Sequence, residues 1–445
     1  MSWQRVKWKV RAISPYETYT TFQPDGITMF DTKTGLMDDI RSRFAQVDTC
    51  PMQGPRVFFE NAGGALTLNS VVDTSTKYAA IPDNQGRANA GAQELVRVIT
   101  KAKAEVMMLM NASSGQVFVG ESGTELLFRM IMNACLGAGP GNVVGSTLEH
   151  PASRSAAKRW SKVAGQDYIS VPHNDATGSV DAADYAAHVT PQTRVATILH
   201  TSPVTGMSVD VAAIATAIRA TAPECLIIVD GIQHAAHGHI DIDSYGVDGY
   251  AVSPYKMFSR HGYGIAWISA RLTHLPHDSL DDGPEGVWEL GTRDTGAYAT
   301  LSDVVDYLGW LGGHFTDDTA PRARIEAAAR AIHAHEKTLT DAMLHGTGNL
   351  KGLAELPGIE IIGGVDNPRR EGLVSMTVTG VPSADVVEAL NQQGIRVHVR
   401  KADHYSGNIL TPLGLSDCIR VSMCHYNTTG EVAQFLAAMA GIAER

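Results

Sequence analysis

Leu226-Ile227-Ile228-Val229-Asp230-Gly231-Ile232-Gln233-His234, followed by Tyr250-Ala251-Val252-Ser253-Pro254-Tyr255-Lys256-Met257-Phe258, is the stretch on which the fold turns. Each half opens with a short apolar run, the length of a buried strand, that ends abruptly in polar residues. Such runs suit a parallel sheet covered by helices on both faces, with a ligand crevice at the carboxyl ends of its strands. Asp230 and Lys256 are then delivered to one crevice. A carboxylate and an amine at neighbouring strand ends make an ion pair. They are also what pyridoxal phosphate (PLP) chemistry needs, a lysine for the Schiff base and an acid beside the pyridine nitrogen. This stretch alone leaves both readings open.

Working outward, the same alternation recurs. Arg56 to Glu60 reads as a strand followed by Asn61-Ala62-Gly63-Gly64, where paired glycines let backbone approach a ligand or simply turn. Val117-Phe118-Val119 leads through Gly120-Glu121-Ser122-Gly123-Thr124-Glu125 into a helix from Leu126 to Leu136. A small-residue loop at a helix start is an anion site, so a phosphate fits on the Gly123 and Thr124 amides and the Thr124 hydroxyl. The loop is neither a P-loop nor a G-x-G-x-x-G, and no nucleotide is implied. Strands at 142–146, 169–171 and 194–199 and helices at 182–188 and 211–220 extend the pattern, and His150 falls in a loop. Alternating strands and helices predict an α/β fold with a mostly parallel sheet. A long helix over 322–343 connects to a C-terminal part of different character, with strands at 359–362, 373–378, 395–399 and 419–422 and a helix at 384–392. The expected division is an N-terminal segment, 1–55, packing on the small domain, a large cofactor-binding domain, 56–315, and a small α+β domain, 316–445.

Composition narrows the function. The chain has 445 residues and a formal net charge of −11, which argues against nucleic acid or an anionic membrane as partner. Its five cysteines form no Cys-x-x-Cys pair, no run is long enough to span a bilayer, and the first residues do not read as a signal peptide. A cytoplasmic enzyme acting on a small molecule is the expectation, with no metal site.

Val229-Asp230-Gly231-Ile232-Gln233, Ser253-Pro254-Tyr255-Lys256, Glu289-Leu290-Gly291-Thr292 and Arg420-Val421-Ser422 followed by His425-Tyr426-Asn427 occur in one order. In this the chain resembles the class V aminotransferases, fold-type I PLP enzymes that include cysteine desulfurases, selenocysteine lyases and isopenicillin-N-epimerase-like proteins. The resemblance implies that Lys256 carries the cofactor, that Asp230 pairs with its ring nitrogen and that Gln233 bonds its phenolic oxygen. It also implies that His150 covers the ring, that Gly123, Thr124, Ser253 and a partner subunit's copy of Thr292 hold the phosphate, and that Arg420 grips the substrate α-carboxylate. A homodimer with shared active sites follows from the role of Thr292. Asn61, Gly63, His404 and Tyr405 are further expected substrate contacts.

Three departures qualify the resemblance. The loop on which the desulfurases carry a persulfide cysteine reads Arg400-Lys401-Ala402-Asp403-His404-Tyr405-Ser406-Gly407-Asn408, without cysteine. The family's Ser-Asn-x-x-Gly is Ser202-Pro203-Val204-Thr205-Gly206, and Tyr255 precedes the lysine where histidine is usual. The expected activity is a desulfurase-like or C–S-lyase-like cleavage at Cα or Cβ of a small L-α-amino acid, without a persulfide. An aminotransferase is the alternative, followed by an epimerase, a decarboxylative carbon–carbon bond-forming enzyme, or a non-catalytic PLP-fold sensor. Arg293, Arg400, Lys401 and His404 either bind a second acidic group or form a solvated rim.

Overall fold

The computed structural model describes residues 28–443. Strands β1 (Val57–Phe58), β2 (Gln116–Gly120), β3 (Asn142–Ser146), β4 (Asp167–Val171), β5 (Thr193–Leu199), β6 (Leu226–Asp230), β7 (Gly249–Val252) and β8 (Gly264–Ile268) lead from the N-terminal side. Seven of them form one sheet in the order β2-β8-β7-β6-β5-β3-β4. β8 runs antiparallel to both neighbours, while the β7-β6-β5-β3-β4 pairs are parallel. The centre, β6, is buried along its whole length, which is why Leu226 to Val229 are uniformly apolar. Its register sets Asp230 level with Leu199 on one side and Ala251 on the other, so the carboxyl ends of three strands open at one level.

Two apolar cores cover the two faces of this sheet, one around Val119, Ile198, Ile227 and Tyr250, the other around Phe118, Met130, Ile228 and Ile268. Strands β9 (Ile359–Ile361), β10 (Leu373–Val378), β11 (Ile395–Arg396), β12 (His398–Lys401) and β13 (Asp417–Ser422) lie in the C-terminal part, and two-residue ribbons pair Thr49–Cys50 with Gly54–Pro55 and Gly346–Thr347 with Leu350–Lys351. An antiparallel sheet, β9-β10-β13-β12, carries a third core with Ile419, Val421 and Phe435.

The structure corrects several expectations. The run 395–399 is two strands in two sheets: β11 pairs in parallel with β1, and β12 pairs with β13. Val57 and Phe59 consequently pack in the third core rather than in the large domain. The connecting helix, Pro321–His345, spans both parts, with Ile325, Ala328 and Ile332 in the large core and Leu339, Met343 and Leu344 in the small one. Residues 1–27 of the N-terminal segment lie outside the described residues. Of the rest, Phe30, Leu36, Ile40 and Phe44 pack in the large core, while Arg41 bonds the Tyr426 carbonyl (2.6 Å) and Glu431 (3.3 Å) and Gln53 accepts from Arg396 (2.6 Å) in the C-terminal part. Among the described residues no helix is long and apolar enough to cross a membrane.

Candidate active site

The cleft between the two parts opens at the carboxyl end of β6. Asp230 is 2 % exposed; its carboxylate accepts the Ile232 N–H (3.1 Å) and the Ser153 hydroxyl (3.4 Å). Burial pushes its pKa up to about 6, against the opposing pull of the Ile232 amide and the Lys256 charge. Lys256 ends a short 3₁₀ turn opened by Pro254 after β7, and its Nζ donates to Gln233 Oε1 at 3.1 Å. Desolvation, then the Arg420 charge, bring its pKa down to about 7, only partly offset by Asp230. The next turn is held open by Phe258, which is buried in the left-handed region (φ 67°) with its carbonyl bound by Leu68 N–H at 3.0 Å.

The helix Gly123–Gly137 starts against this turn. Ser122 caps it by accepting the Glu125 N–H (3.1 Å), and the Gly123 and Thr124 amides have no acceptor within the helix. Glycine at 123 lets the backbone approach closely, since a Cβ there would lie 2.4 Å from Ser253 Oγ and 2.5 Å from Ile232 Cδ1 and force them to shift. Free amides, a helix N-terminus and the Ser253 hydroxyl thus converge on one small cup beside Lys256.

His150 opens the helix Pro151–Val163, accepting the Ala152 N–H on Nδ1 at 3.2 Å. That bond leaves the proton of the neutral ring on Nε2. Burial, followed by the Lys256 and Arg400 charges, drives its pKa down to about 3, so the ring is neutral. The Tyr405 ring lies 6.0 Å from it, centroid to centroid, at the cleft mouth, with the His404 ring 4.1 Å beyond.

Arg420 projects from β13, 3 % exposed, and its Nη1 donates to the Pro203 carbonyl at 3.0 Å. That acceptor is a backbone carbonyl, which any residue at 203 would offer; what proline lacks is the asparagine side-chain amide. Arg420 Nε is buried with no partner among the described residues. Gly63 lies against the same guanidinium, where a Cβ would stand 3.6 Å from Nη2.

The structure does not bring every expected residue to the cleft as expected. The Asn61 amide is spent inside the chain, donating to Ser422 O (2.8 Å) and Asn427 Oδ1 (3.2 Å) and accepting from the Tyr426 hydroxyl. It braces the loop rather than facing a substrate. Thr292 is exposed on the loop before the helix Thr295–Gly312, and no described hydrogen bond ties it to Gly123, Ser253 or Lys256 of its own chain. Arg293 shares that loop, away from Arg400; its carbonyl accepts from Gln85 Nε2 (3.4 Å).

Several residues here were not singled out from sequence. Ser153 steadies Asp230, and Glu149, fully buried nearby, has its pKa pushed up to about 8 by burial and then by the Asp230 charge. Behind Gln233, its Nε2 lies 3.2 Å from His237 Nε2, and His237 Nδ1 donates to Glu336 at 2.7 Å. The ligand atoms of His237, Glu336 and Cys424 lie within 4.8 Å of one another, a grouping that the His237–Glu336 bond already accounts for. The signal available was weak: Pro151 at the first helical position marks a helix start, but that helix buries Ala152, Ser153, Ala156 and Ala157, too small to register as an apolar face.

With this geometry in hand, the comparisons are direct. The "Aminotransferase class-V" profile matches residues 57–280 and 323–435. The chain belongs to the class V aminotransferase family. Class V relatives include the "Aminotransferase-like protein FGM3" of Gibberella zeae, 26% identical over 91% of this chain and 97% of that one. A "Cysteine desulfurase-like protein ustD" of Aspergillus flavus is 26% identical over 92% and 91% of the two chains. Among solved structures, the cysteine desulfurase CsdA of Escherichia coli superposes with a TM-score of 0.74 at 22% identity, covering 92% of this chain and 98% of its own. The cysteine desulfurase of Thermococcus onnurineus gives 0.76 at 19%, with the same coverage. This class V chain has the type I PLP-enzyme fold, and members of its family use PLP and act on amino acids.

The residues present fit that cofactor. A buried acid at the carboxyl end of β6, an amine whose lowered pKa is partly offset by that acid, and a helix start with free amides against Ser253 are the groups such a cofactor needs.

Proposed function

We propose that this enzyme cleaves a bond at Cα or Cβ of a small L-α-amino acid, in the manner of a desulfurase or C–S lyase but without a persulfide relay. The observation that carries this reading is the meeting of Lys256, Asp230 and Arg420 in one cleft whose mouth is occupied by Tyr405. Bound PLP supplies an electron sink for negative charge at Cα. Lys256 is the group to attach the cofactor and then to take or return a proton at Cα, because its amine is half neutral near pH 7. Asp230, steadied by Ser153 and the Ile232 N–H, would keep the ring nitrogen protonated. Gly123, Thr124 and Ser253 would hold the phosphate, and Gln233 and neutral His150 would hold the ring. Arg420 fixes the α-carboxylate with the donor edge that Pro203 leaves free. Thr292 reaches a phosphate only from a second copy of the chain, so the reading includes a homodimer.

A thiol relay is disfavoured on chemistry. Cys418, on β13 beside Arg420, is fully buried, and burial pushes its thiol up to about 11. Cys135, Cys225 and Cys424 are buried in the cores, and Cys50 lies on the short strand Thr49–Cys50.

The test is to add a panel of L-amino acids to the yellow holoenzyme and to assay keto acid, ammonia and sulfide. Keto acid with ammonia or sulfide is the expected result. A cofactor left aminated, recharged only by a keto acid, assigns transamination instead. Lys256→Ala should abolish borohydride trapping of the cofactor; trapping that persists refutes the assignment.

A further inference from the structure

The cleft holds more positive charge than one α-carboxylate requires. In the β12–β13 pair, His398 stands opposite Arg420, and Arg400 stands opposite Cys418. Opposed residues, and alternate residues along a strand, share a face of the sheet. His398, Arg400, Cys418 and Arg420 therefore share the face turned away from Ile419 and Val421, which fill the core. Arg400 and Arg420 are diagonal neighbours on that face, a spacing of roughly 7–8 Å.

The Arg400 guanidinium is positioned. Its Nε and Nη2 both donate to Ser406 Oγ, at 2.9 and 2.5 Å, and its Cζ lies 5.8 Å from the centre of the Tyr405 ring. That ring is the one standing 6.0 Å from His150. The Arg400 charge also depresses the pKa of Lys256, His150 and Arg420, in keeping with its place beside Arg420 on this strand face. Among the described residues no carboxylate lies within ion-pair distance of either guanidinium. Asp403 acts on Arg400 only from beyond that distance, and Glu60, the acid closest in effect to Arg420, is itself 3.4 Å from His398. Two guanidinium groups held on one half-buried face, neither in ion-pair contact with an acid, repel until an anion bridges them. An α-carboxylate satisfies one of them.

We propose that Arg400 is a specificity-determining residue that receives a side-chain carboxylate, so that the preferred substrate is a small dicarboxylic α-amino acid. This rests on the reading of the cleft as an amino-acid site. A second carboxylate enters on the side of Tyr405 and Ser406, while Arg420 keeps the first. The loop 400–408 thus supplies charge recognition, with Tyr405 packed over the entering group.

The experiment is a spectral titration of the holoenzyme with L-aspartate, L-glutamate, L-asparagine and L-alanine, followed at early times. L-Aspartate or L-glutamate should perturb the cofactor absorbance at concentrations at least tenfold lower than L-asparagine or L-alanine. In Arg400→Gln that preference, taken as the ratio of acid to amide within the same variant, should fall to about one. Arg400→Lys, which keeps the charge but not the fork, should retain part of it. Retained cofactor absorbance reports that each variant is folded. Equal affinity for acid and amide in the unmodified enzyme overturns the proposal, as does an undiminished preference in Arg400→Gln. No response to any of the four compounds overturns the amino-acid reading as well, which separates the two failures.

Discussion

Lys256 should behave as a neutral nucleophile at ordinary pH. Its amine is brought from 10.5 to about 7, chiefly by desolvation and next by the Arg420 charge. At pH 7 about half of it is free base, against roughly 0.03% for an unperturbed lysine, an advantage on the order of a thousandfold in reactive fraction. The assay is reductive alkylation of the cofactor-stripped protein by a small aldehyde, with Lys256 and surface lysines quantified separately by mass spectrometry from pH 5.5 to 10. Lys256 should titrate with a midpoint near 7 while surface lysines keep rising to the top of the range. Arg420→Ala removes a neighbouring cation and should raise the midpoint; Asp230→Asn removes the counter-charge and should lower it. Each shift should be roughly one to two units, the size of a unit charge about 6–12 Å away at an effective dielectric near 20. The linked stability has a definite sign. The unfolded amine holds its proton more tightly, so the stripped protein should gain stability as pH rises from about 7 towards 10.5. A wild-type midpoint near 10, or both variants moving the same way, would refute the electrostatic reasoning.

Three further outcomes are expected. Glu149 is buried with its pKa raised to about 8, so the folded chain holds a proton that the unfolded chain releases between about 4.5 and 8, and stability is lost as pH rises through that window. Glu149→Gln should remove this dependence and raise Tm more at pH 8.5 than at pH 5, which calorimetry at the two pH values checks. Ser153→Ala removes a hydrogen bond to Asp230 (3.4 Å) and should speed cofactor loss on dialysis a few-fold, in line with about 1 kcal/mol per bond; an unchanged rate would remove Ser153 from the site. Glu336→Gln breaks a fully buried pair with His237 (2.7 Å) and should cost about 3 kcal/mol or more in urea unfolding, with a measured loss below about 1 kcal/mol contradicting the pair's role.

The parts of the site carried on single strands were legible in the chain. An uninterrupted apolar run from Leu226 to Val229 has to be buried on both faces, and its end at Asp230 has to meet the crevice; the same holds for Val252 and the turn to Lys256. The anion cup was legible because a helix start after a small-residue loop is a local feature. Composition and periodicity failed where packing is close. Small side chains hid the helix that brings Ser153 under Asp230, and the two-residue β1 gave no hint that Val57 and Phe59 belong to the other core.

The sequence by itself therefore determined the fold class, the lysine and acid at neighbouring strand ends and the helix start at Gly123, because each is encoded within a few consecutive residues. Only the tertiary structure decided that Asn61 is a brace, that His237 and Glu336 stand behind Gln233, and that Arg400 shares a face with Arg420. Those outcomes depend on which elements meet in space: His237 and Glu336 are 99 positions apart, Asn61 and Ser422 are 361 apart, and Arg400 meets Arg420 only through the β12–β13 register. The desolvation that brings Lys256 to about 7 likewise exists only once the two parts close around the amine.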